Sequence, residues 1–384
     1  MYRNLLPFFI VLPAALYSLL SLWCGWRFFR GRAAGETDTE RAVQPPVTIL
    51  KPVKGMDEGS YDNFASFCRQ HYGGAVQLLF AVAAADDPAI AVIHRLQQDF
   101  PDREITLTVD PTIHGPNLKI SNLMNAFPRA RHDLLIICDS DIRVEPTFLT
   151  SVTGHFRNPR VGLVTSPYRT RHVHGAATVL ESLGFSTEML PNVTVARQLE
   201  GLSFALGAAM TFRREALETI GGLPALVNYL ADDYQLGNKI RRAGWELVLD
   251  RQFVESMIRS ESLGSILSRQ LRWARTMRVS RPGGYLASGI TLPGLAVVAA
   301  LAAAPPLTSL SALLLLYAIR LTVATVFSRS LVQDRLLPAW CWLLPLRDLL
   351  ATATWLGSFL GNRVQWRGHH FRILPGGRLE TIKQ

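Results

Sequence analysis

Two carboxylates separated by one residue, Asp139 and Asp141, end an apolar run in LIICDSDIRVEP (135–146). An apolar run of that length is normally buried, whereas carboxylates are rarely buried unless paired or holding a cation. Two acids so spaced can jointly hold Mg²⁺ or Mn²⁺ and leave its other positions to water and phosphate oxygens. An EF-hand is excluded, because Arg143, Val144 and Thr150 stand where that loop needs an acid or amide, a glycine and a glutamate. A solvated turn is the competing reading, since Asp is common after strands.

A second acidic pair occurs in YLADDYQLGNKIRRAGWEL (229–247), where Leu236, Ile240 and Ala243 share a helical face. Asp232, three residues before Gln235, has the spacing of a capping box at the helix start. Asp233 is not used that way. It either stabilises the first helical turn through the dipole or acts as a general base toward a hydroxyl nucleophile. In RQLRW (269–273), Arg269 and Arg272 fall one helical turn apart with Trp273 beside them. Such a pair can clamp a diphosphate, and it can equally belong to a basic interfacial helix that continues through Arg275 and Arg278.

Positioning these groups requires an α/β domain. Strands are expected at 47–50, 76–83, 104–109, 133–138, 161–165 and 245–249, and helices at 60–71, 88–99, 118–129, 174–188 and 232–243. The alternation implies a mostly parallel sheet covered by helices. Ligands of open α/β sheets bind at the carboxyl ends of strands, which is where Asp139 and Asp141 stand.

The rest of the chain is expected in lipid. Leu5–Trp26 carries no charge and as a helix spans about 33 Å, enough to cross a bilayer. It ends in Arg27, Arg30 and Arg32 instead of a cleavage site, so it reads as an anchor, and the charge asymmetry puts the following domain in the cytosol. Residues 288–304 and 307–327 read as two further membrane helices. The stretch 336–361, interrupted by Pro345, Arg347 and Asp348, reads as re-entrant or interfacial. Arg347 and Asp348 are expected to pair with each other or with partners inside the bundle. The implied organisation is an anchor (1–32), a linker (33–46), the α/β domain (47–284), a membrane region (285–362) and a basic tail (363–384).

The formal charge of +10 comes with no nucleic-acid motif. The excess lies beside apolar segments, which fits anionic headgroups or an anionic substrate at a membrane surface. The four cysteines form no CxxC pair, which argues against disulfides and zinc.

Taken in order, AADDPA (84–89, with Asp87), CDSD, ADDY and R-x-x-R-W resemble the membrane-bound inverting glycosyltransferases of the GT-A fold. Within them the resemblance is to the ceramide glucosyltransferase family and its bacterial relatives that glycosylate hopanoids. It runs from ILKPVKG (49–55) to RWART (272–276) and includes NFASFCRQHY (63–72) and GPNLKISNL (115–123); the tail LLPLRDLL…WRG (343–368) resembles the hopanoid branch. The resemblance implies a Rossmann-like GT-A domain in which Asp87 helps hold the donor's uridine. Asp139 and Asp141 would bind the donor diphosphate through a divalent metal. Asp233 would be the catalytic base; Arg269, Arg272 and Trp273 would contact diphosphate or acceptor, and Lys119 would reach the donor. SFALGAAMTFRR (203–214) lacks a cysteine that ceramide enzymes can carry, a departure that favours a hopanoid acceptor such as bacteriohopanetetrol.

The implied reaction is inverting transfer from a UDP-sugar, UDP-N-acetylglucosamine favoured, to a hydroxyl of a membrane lipid, at the inner membrane with the site in the cytosol. UDP-glucose:ceramide glucosyltransferase is the alternative acceptor reading. A processive polysaccharide synthase shares the acids but needs more apolar segments for a channel. A polyprenyl-phosphate sugar transferase would not need a base at Asp233. A non-catalytic membrane-binding module would leave the acids as solvated loops.

Overall fold

The computed structural model describes residues 2–30, 44–258, 261–334, 336–366 and 369–382. Most of the expected linker (33–46) lies outside the described residues. The chain forms two compact units that interleave in sequence. One comprises 32–172 and 200–259; the other gathers 1–31, 173–199 and 260–384.

The first unit is built on a seven-stranded sheet: β1 (Val47–Val53), β2 (Val76–Val82), β3 (Glu104–Val109), β4 (Leu134–Cys138), β6 (Val161–Thr165), β8 (Ala209–Arg213) and β9 (Glu246–Leu249), in the order β3-β2-β1-β4-β8-β6-β9. All pairings are parallel except those of β8, which runs antiparallel between β4 and β6. A small second sheet joins β5 (Ile142–Arg143), β10 (Val254–Met257) and β7 (Tyr168–Arg171). The six expected strands form, and four more appear among the described residues of this unit.

Alternation along the strands divides the core between two faces. Val47, Ile49, Leu78, Phe80, Ile136 and Cys138 face the helices Ser60–Cys68, Ala89–Asp99 and Phe148–Gly154. Leu50, Leu79, Ala81, Leu135 and Ile137 face Leu118–Ala126 and Asp232–Arg242. Burial on both faces explains why β4 reads as an unbroken apolar run.

Among the described residues the second unit has two helices long and apolar enough to cross a membrane, Asn4–Arg30 and Pro306–Val332. The expected span at 288–304 is the helix Pro293–Ala303, which meets Pro282–Thr291 at a 54° bend. Ala14, Ala15, Ala296, Ala300 and Ala312 form the seam of this bundle, where small side chains let backbones approach. Arg347 and Asp348 do not pair with each other. Asp348 takes two hydrogen bonds from Arg320 (Nε 2.9 Å, Nη2 2.6 Å), and Arg347 donates to Glu188 at 2.7 Å. All four cysteines are free. The tail forms an antiparallel ribbon of β11 (Arg363–Trp366), β12 (His369–Ile373) and β13 (Leu379–Thr381).

Candidate active site

The turn after β4 is fixed from behind by Lys51. This lysine stands inside β1, wholly buried, and its Nζ donates to the Asp139 carbonyl at 2.8 Å while lying 4.2 Å from the Phe67 ring centroid. The Asp139 amide donates to the Ala208 carbonyl at 3.2 Å. Held at both ends of its backbone, Asp139 keeps an accessible carboxylate, 39% exposed.

Asp141 accepts a hydrogen bond from the Ser256 hydroxyl at 2.9 Å. Burial pushes its pKa up to about 7, helped by the nearby charges of Asp139 and Asp57, with the Ser256 bond and Lys51 opposing. No cation lies within ion-pair reach of Asp141 among the described residues. Two crowded carboxylates, one without a counter-ion, are a fitting place for a divalent cation. Among the described residues no group of three or more His, Cys, Asp or Glu is placed to hold a metal alone. The pair therefore fits a cation that leaves most positions to water and substrate oxygens, as Mg²⁺ and Mn²⁺ do.

Lys119 joins this pair to the second acidic motif. Asn117 caps the Leu118–Ala126 helix by accepting from the Ile120 amide at 3.0 Å, and its Nδ2 donates to the Tyr229 carbonyl at 2.8 Å. The helix so aligned carries the nearly buried Lys119 Nζ to Asp139 Oδ1 (2.7 Å) and Asp232 Oδ2 (3.4 Å). Burial alone would lower the lysine's pKa, but Asp139 and Asp232 together raise it, so it stays charged.

The expected capping box at Asp232 is not formed. The helix Asp232–Arg242 has Ala231 at its N-cap with no side-chain cap bond, because both Asp232 oxygens turn inward to Asn117 and Lys119. A buried ammonium outcompetes a helix amide, since charge-assisted bonds are the stronger.

Asp233, the next residue, accepts from the Tyr234 amide at 2.7 Å. Burial raises its pKa to about 6, Asp232 adds to the rise and Lys119 opposes it. Two glycines make room here. A Cβ at Gly207 would stand 2.9 Å from Asp233 Oδ2, and one at Gly237 would stand 2.5 Å from the Ala205 amide nitrogen. The 203–207 loop thus lies directly against the helix bearing Asp233.

Asp87 sits elsewhere along the sheet edge. Its Oδ2 accepts from the Gly55 amide (2.8 Å) and its Oδ1 from the Ala89 amide (2.9 Å), tying the loop after β1 to the helix after β2.

Arg269, Arg272 and Trp273 belong to the other compact unit, on the helix Leu263–Ser280. Arg269 forms paired bonds to Glu181 (Nε 3.0 Å, Nη2 2.7 Å) and to Glu261 (Nη1 2.9 and 2.8 Å). Each of its three nitrogens thereby donates to a carboxylate. Trp273 is partly exposed, with its ring edge-on to Phe185 at 6.1 Å.

The residues that sequence reasoning left out are Lys51, Asp57, Asn117, Asp232 as an ion-pair partner, and Ser256. Lys51 and Asn117 lie inside the stretches ILKPVKG and GPNLKISNL. A lysine within an apolar strand was the available signal.

The sequence model of glycosyl transferase family 21 matches residues 6–379. The chain belongs to this family. Its similarity to ceramide glucosyltransferase 3 of Caenorhabditis elegans is 26% identity, covering 88% of this chain and 75% of the relative. Ceramide glucosyltransferase 1 of the same organism is 24% identical, covering 88% and 74%. Among solved structures, a mannosyltransferase from Pyrobaculum calidifontis in complex with GDP-Man and Mn²⁺ superposes with a TM-score of 0.54 at 17% identity, covering 93% of this chain and 98% of that one. That likeness concerns the fold: the α/β unit of this family 21 glycosyltransferase is a GT-A domain, joined in one chain to apolar helices that can anchor it to a membrane.

Proposed function

We propose that the enzyme transfers a sugar from a UDP-sugar to a hydroxyl of a membrane lipid with inversion, using Asp233 as general base. The observation that carries this reading is Lys119, whose ammonium links the Asp139 carboxylate to the acidic pair bearing Asp233 at the carboxyl ends of the strands. Donor-phosphate chemistry and proton removal thereby share one electrostatic cluster.

The acceptor oxygen attacks the anomeric carbon as the bond to the nucleoside diphosphate breaks, and the acceptor proton passes to Asp233. Its environment, with a pKa near 6, leaves this carboxylate ionised at neutral pH yet more basic than an ordinary aspartate. Asp139 and Asp141 would hold a divalent cation, Mg²⁺ or Mn²⁺, which when bound supplies positive charge against the diphosphate. Asp87, Lys119, Arg272 and Trp273 complete the proposed donor and acceptor contacts. The four bonds on Arg269 support a role in fixing its helix rather than direct phosphate binding.

For substrates we propose UDP-N-acetylglucosamine and a hopanoid such as bacteriohopanetetrol, at the cytosolic face of the inner membrane. The resemblance of the 343–368 stretch and the absence of a cysteine in 203–214 support this. A second reading, glucose transfer to ceramide, is favoured by the two nematode relatives that match 88% of the chain. The deciding experiment incubates the full-length protein in membranes with labelled UDP-N-acetylglucosamine or UDP-glucose, offering bacteriohopanetetrol and ceramide in parallel, with Asp233→Asn alongside. Label on the hopanoid, lost in the variant, is the expected result. Glucose on ceramide would transfer the mechanism to the second reading. Full activity in Asp233→Asn would exclude this base.

A further inference from the structure

Of the four arginines on the helix Leu263–Ser280, Arg269, Arg275 and Arg278 have sharply different surroundings. Arg269 is neutralised by two glutamates. Arg275 and Arg278, one turn apart on the following stretch, are not neutralised at all among the described residues. The Arg275 guanidinium donates through Nη1 to the Arg363 carbonyl, and Arg278 donates through Nη2 to the Gly361 carbonyl at 3.1 Å. The Nε atoms of both are buried without a hydrogen-bond partner. Elsewhere in this unit the buried arginines Arg320 and Arg347 each have a carboxylate, at 2.6 and 2.7 Å.

Two partly buried guanidinium groups side by side on carbonyl oxygens leave donors unused and repel one another. Burial, and then the charge of Arg278, lower the pKa of Arg275. An anion completes such a place, and a phosphate matches the fork of each guanidinium. The rim identifies its source. Arg278 lies 5.6 Å from the Phe359 ring centroid, and Met277, Phe359 and Leu360 expose 45%, 43% and 85% of their surfaces. A phosphate bound to a lipid needs cations beside apolar surface; a free phosphate does not.

We propose that Arg275 and Arg278, where their helix meets the start of the C-terminal ribbon, form a binding site for the phosphate of an anionic phospholipid, distinct from the acceptor lipid. The site goes beyond the transferase reading and is tested by binding, so the two can fail separately.

The full chain is placed in phosphatidylcholine nanodiscs with and without phosphatidylglycerol, and retained lipid is counted by native mass spectrometry. Two arginines at an anionic interface correspond to about thirtyfold enrichment of phosphatidylglycerol. Arg275→Gln/Arg278→Gln should reduce this to about threefold or less, with unfolding in pure phosphatidylcholine unchanged. Equal enrichment in the double variant, or none in the wild type, overturns the site. Displacement of the lipid by millimolar inorganic phosphate or by UDP assigns the arginines to a soluble phosphate and overturns the lipid assignment. Should the double variant fail to fold, photo-crosslinking of phosphatidylglycerol to the wild type decides. Label on 275–278 or 359–363 upholds the site, and label confined elsewhere refutes it.

Discussion

Asp233 lies under two opposed fields, and removing them one at a time should move the acid limb of the rate profile in opposite directions. Asp232 raises its pKa and Lys119 lowers it, about a value near 6. A unit charge about 5 Å away at an effective dielectric of about 20 contributes ~3 kcal/mol, equivalent to ~2 pH units. Solvent reaching the half-buried carboxylate reduces this to about 1 unit. Asp232→Asn should therefore shift the midpoint of the acid limb from near 6 toward 5, and Lys119→Met should shift it toward 7. The general base must be ionised, so activity falls as pH drops through that midpoint in every case.

The assay is initial rate against pH at saturating UDP-sugar and lipid, with thermal unfolding recorded for each variant. Lys119→Met leaves Asp139 and Asp232 without their shared cation, so a stability loss of about 3–5 kcal/mol is expected beside the pH shift. Stability loss alone lowers the amplitude of the profile and does not move its midpoint. Movement of both variants in the same direction, or a midpoint unmoved in both, would refute Asp233 as the titrating base.

The other expectations follow from neighbouring contacts. Asp141, with a folded pKa near 7 against an ordinary 3.8, binds a proton that the unfolded chain releases. Its ionisation costs stability progressively from about pH 4 to 7 and fully above, so Asp141→Asn should raise the melting temperature of metal-free protein at pH 8 by several degrees, by about 2–4 kcal/mol at most. Mn²⁺ should stabilise the wild type but not that variant. Gly207→Ala, whose Cβ meets Asp233 Oδ2 at 2.9 Å, should lower kcat at least about tenfold with donor affinity unchanged. Gly154→Ala has open space and serves as the neutral control. Arg320→Leu should cost about 3–5 kcal/mol in detergent melts by stranding Asp348, and Arg320→Leu/Asp348→Leu should recover most of that loss.

The parallel half of the GT-A sheet is legible in the chain because strands buried on both faces must be mostly apolar, as 47–50, 76–83 and 133–138 are apart from Thr48, Gln77 and Asp133. β8 escapes the same reasoning. AMTFR ends in a charged residue and follows a run of small residues, and only its place between β4 and β6 makes it central. β7 and β10, YRTR and VESM, carry little apolar signal because their order rests on pairing with each other in a narrow ribbon. The site divides the same way. Asp139, Asp141 and Asp233 stand out by spacing, whereas the meaning of Asp232 depends on a lysine from a distant helix.

That difference bears on how the site works. A local rule gives Asp232 to its own helix, and the structure gives it to Lys119, leaving the helix start without a side-chain cap. A cap contributes about 1 kcal/mol, while stranding a buried ammonium costs several, so the lysine wins on magnitude. The ammonium is thereby fixed between the carboxylate proposed to face the donor and the pair that includes the proposed base. A change of charge at Asp139 must be felt at Lys119, and through it at Asp233, without any residue having to move. In the proposed reaction the cluster would couple charge at the diphosphate to basicity at the acceptor, and the opposed shifts expected for Lys119→Met and Asp232→Asn measure the two fields at Asp233 through which it would do so.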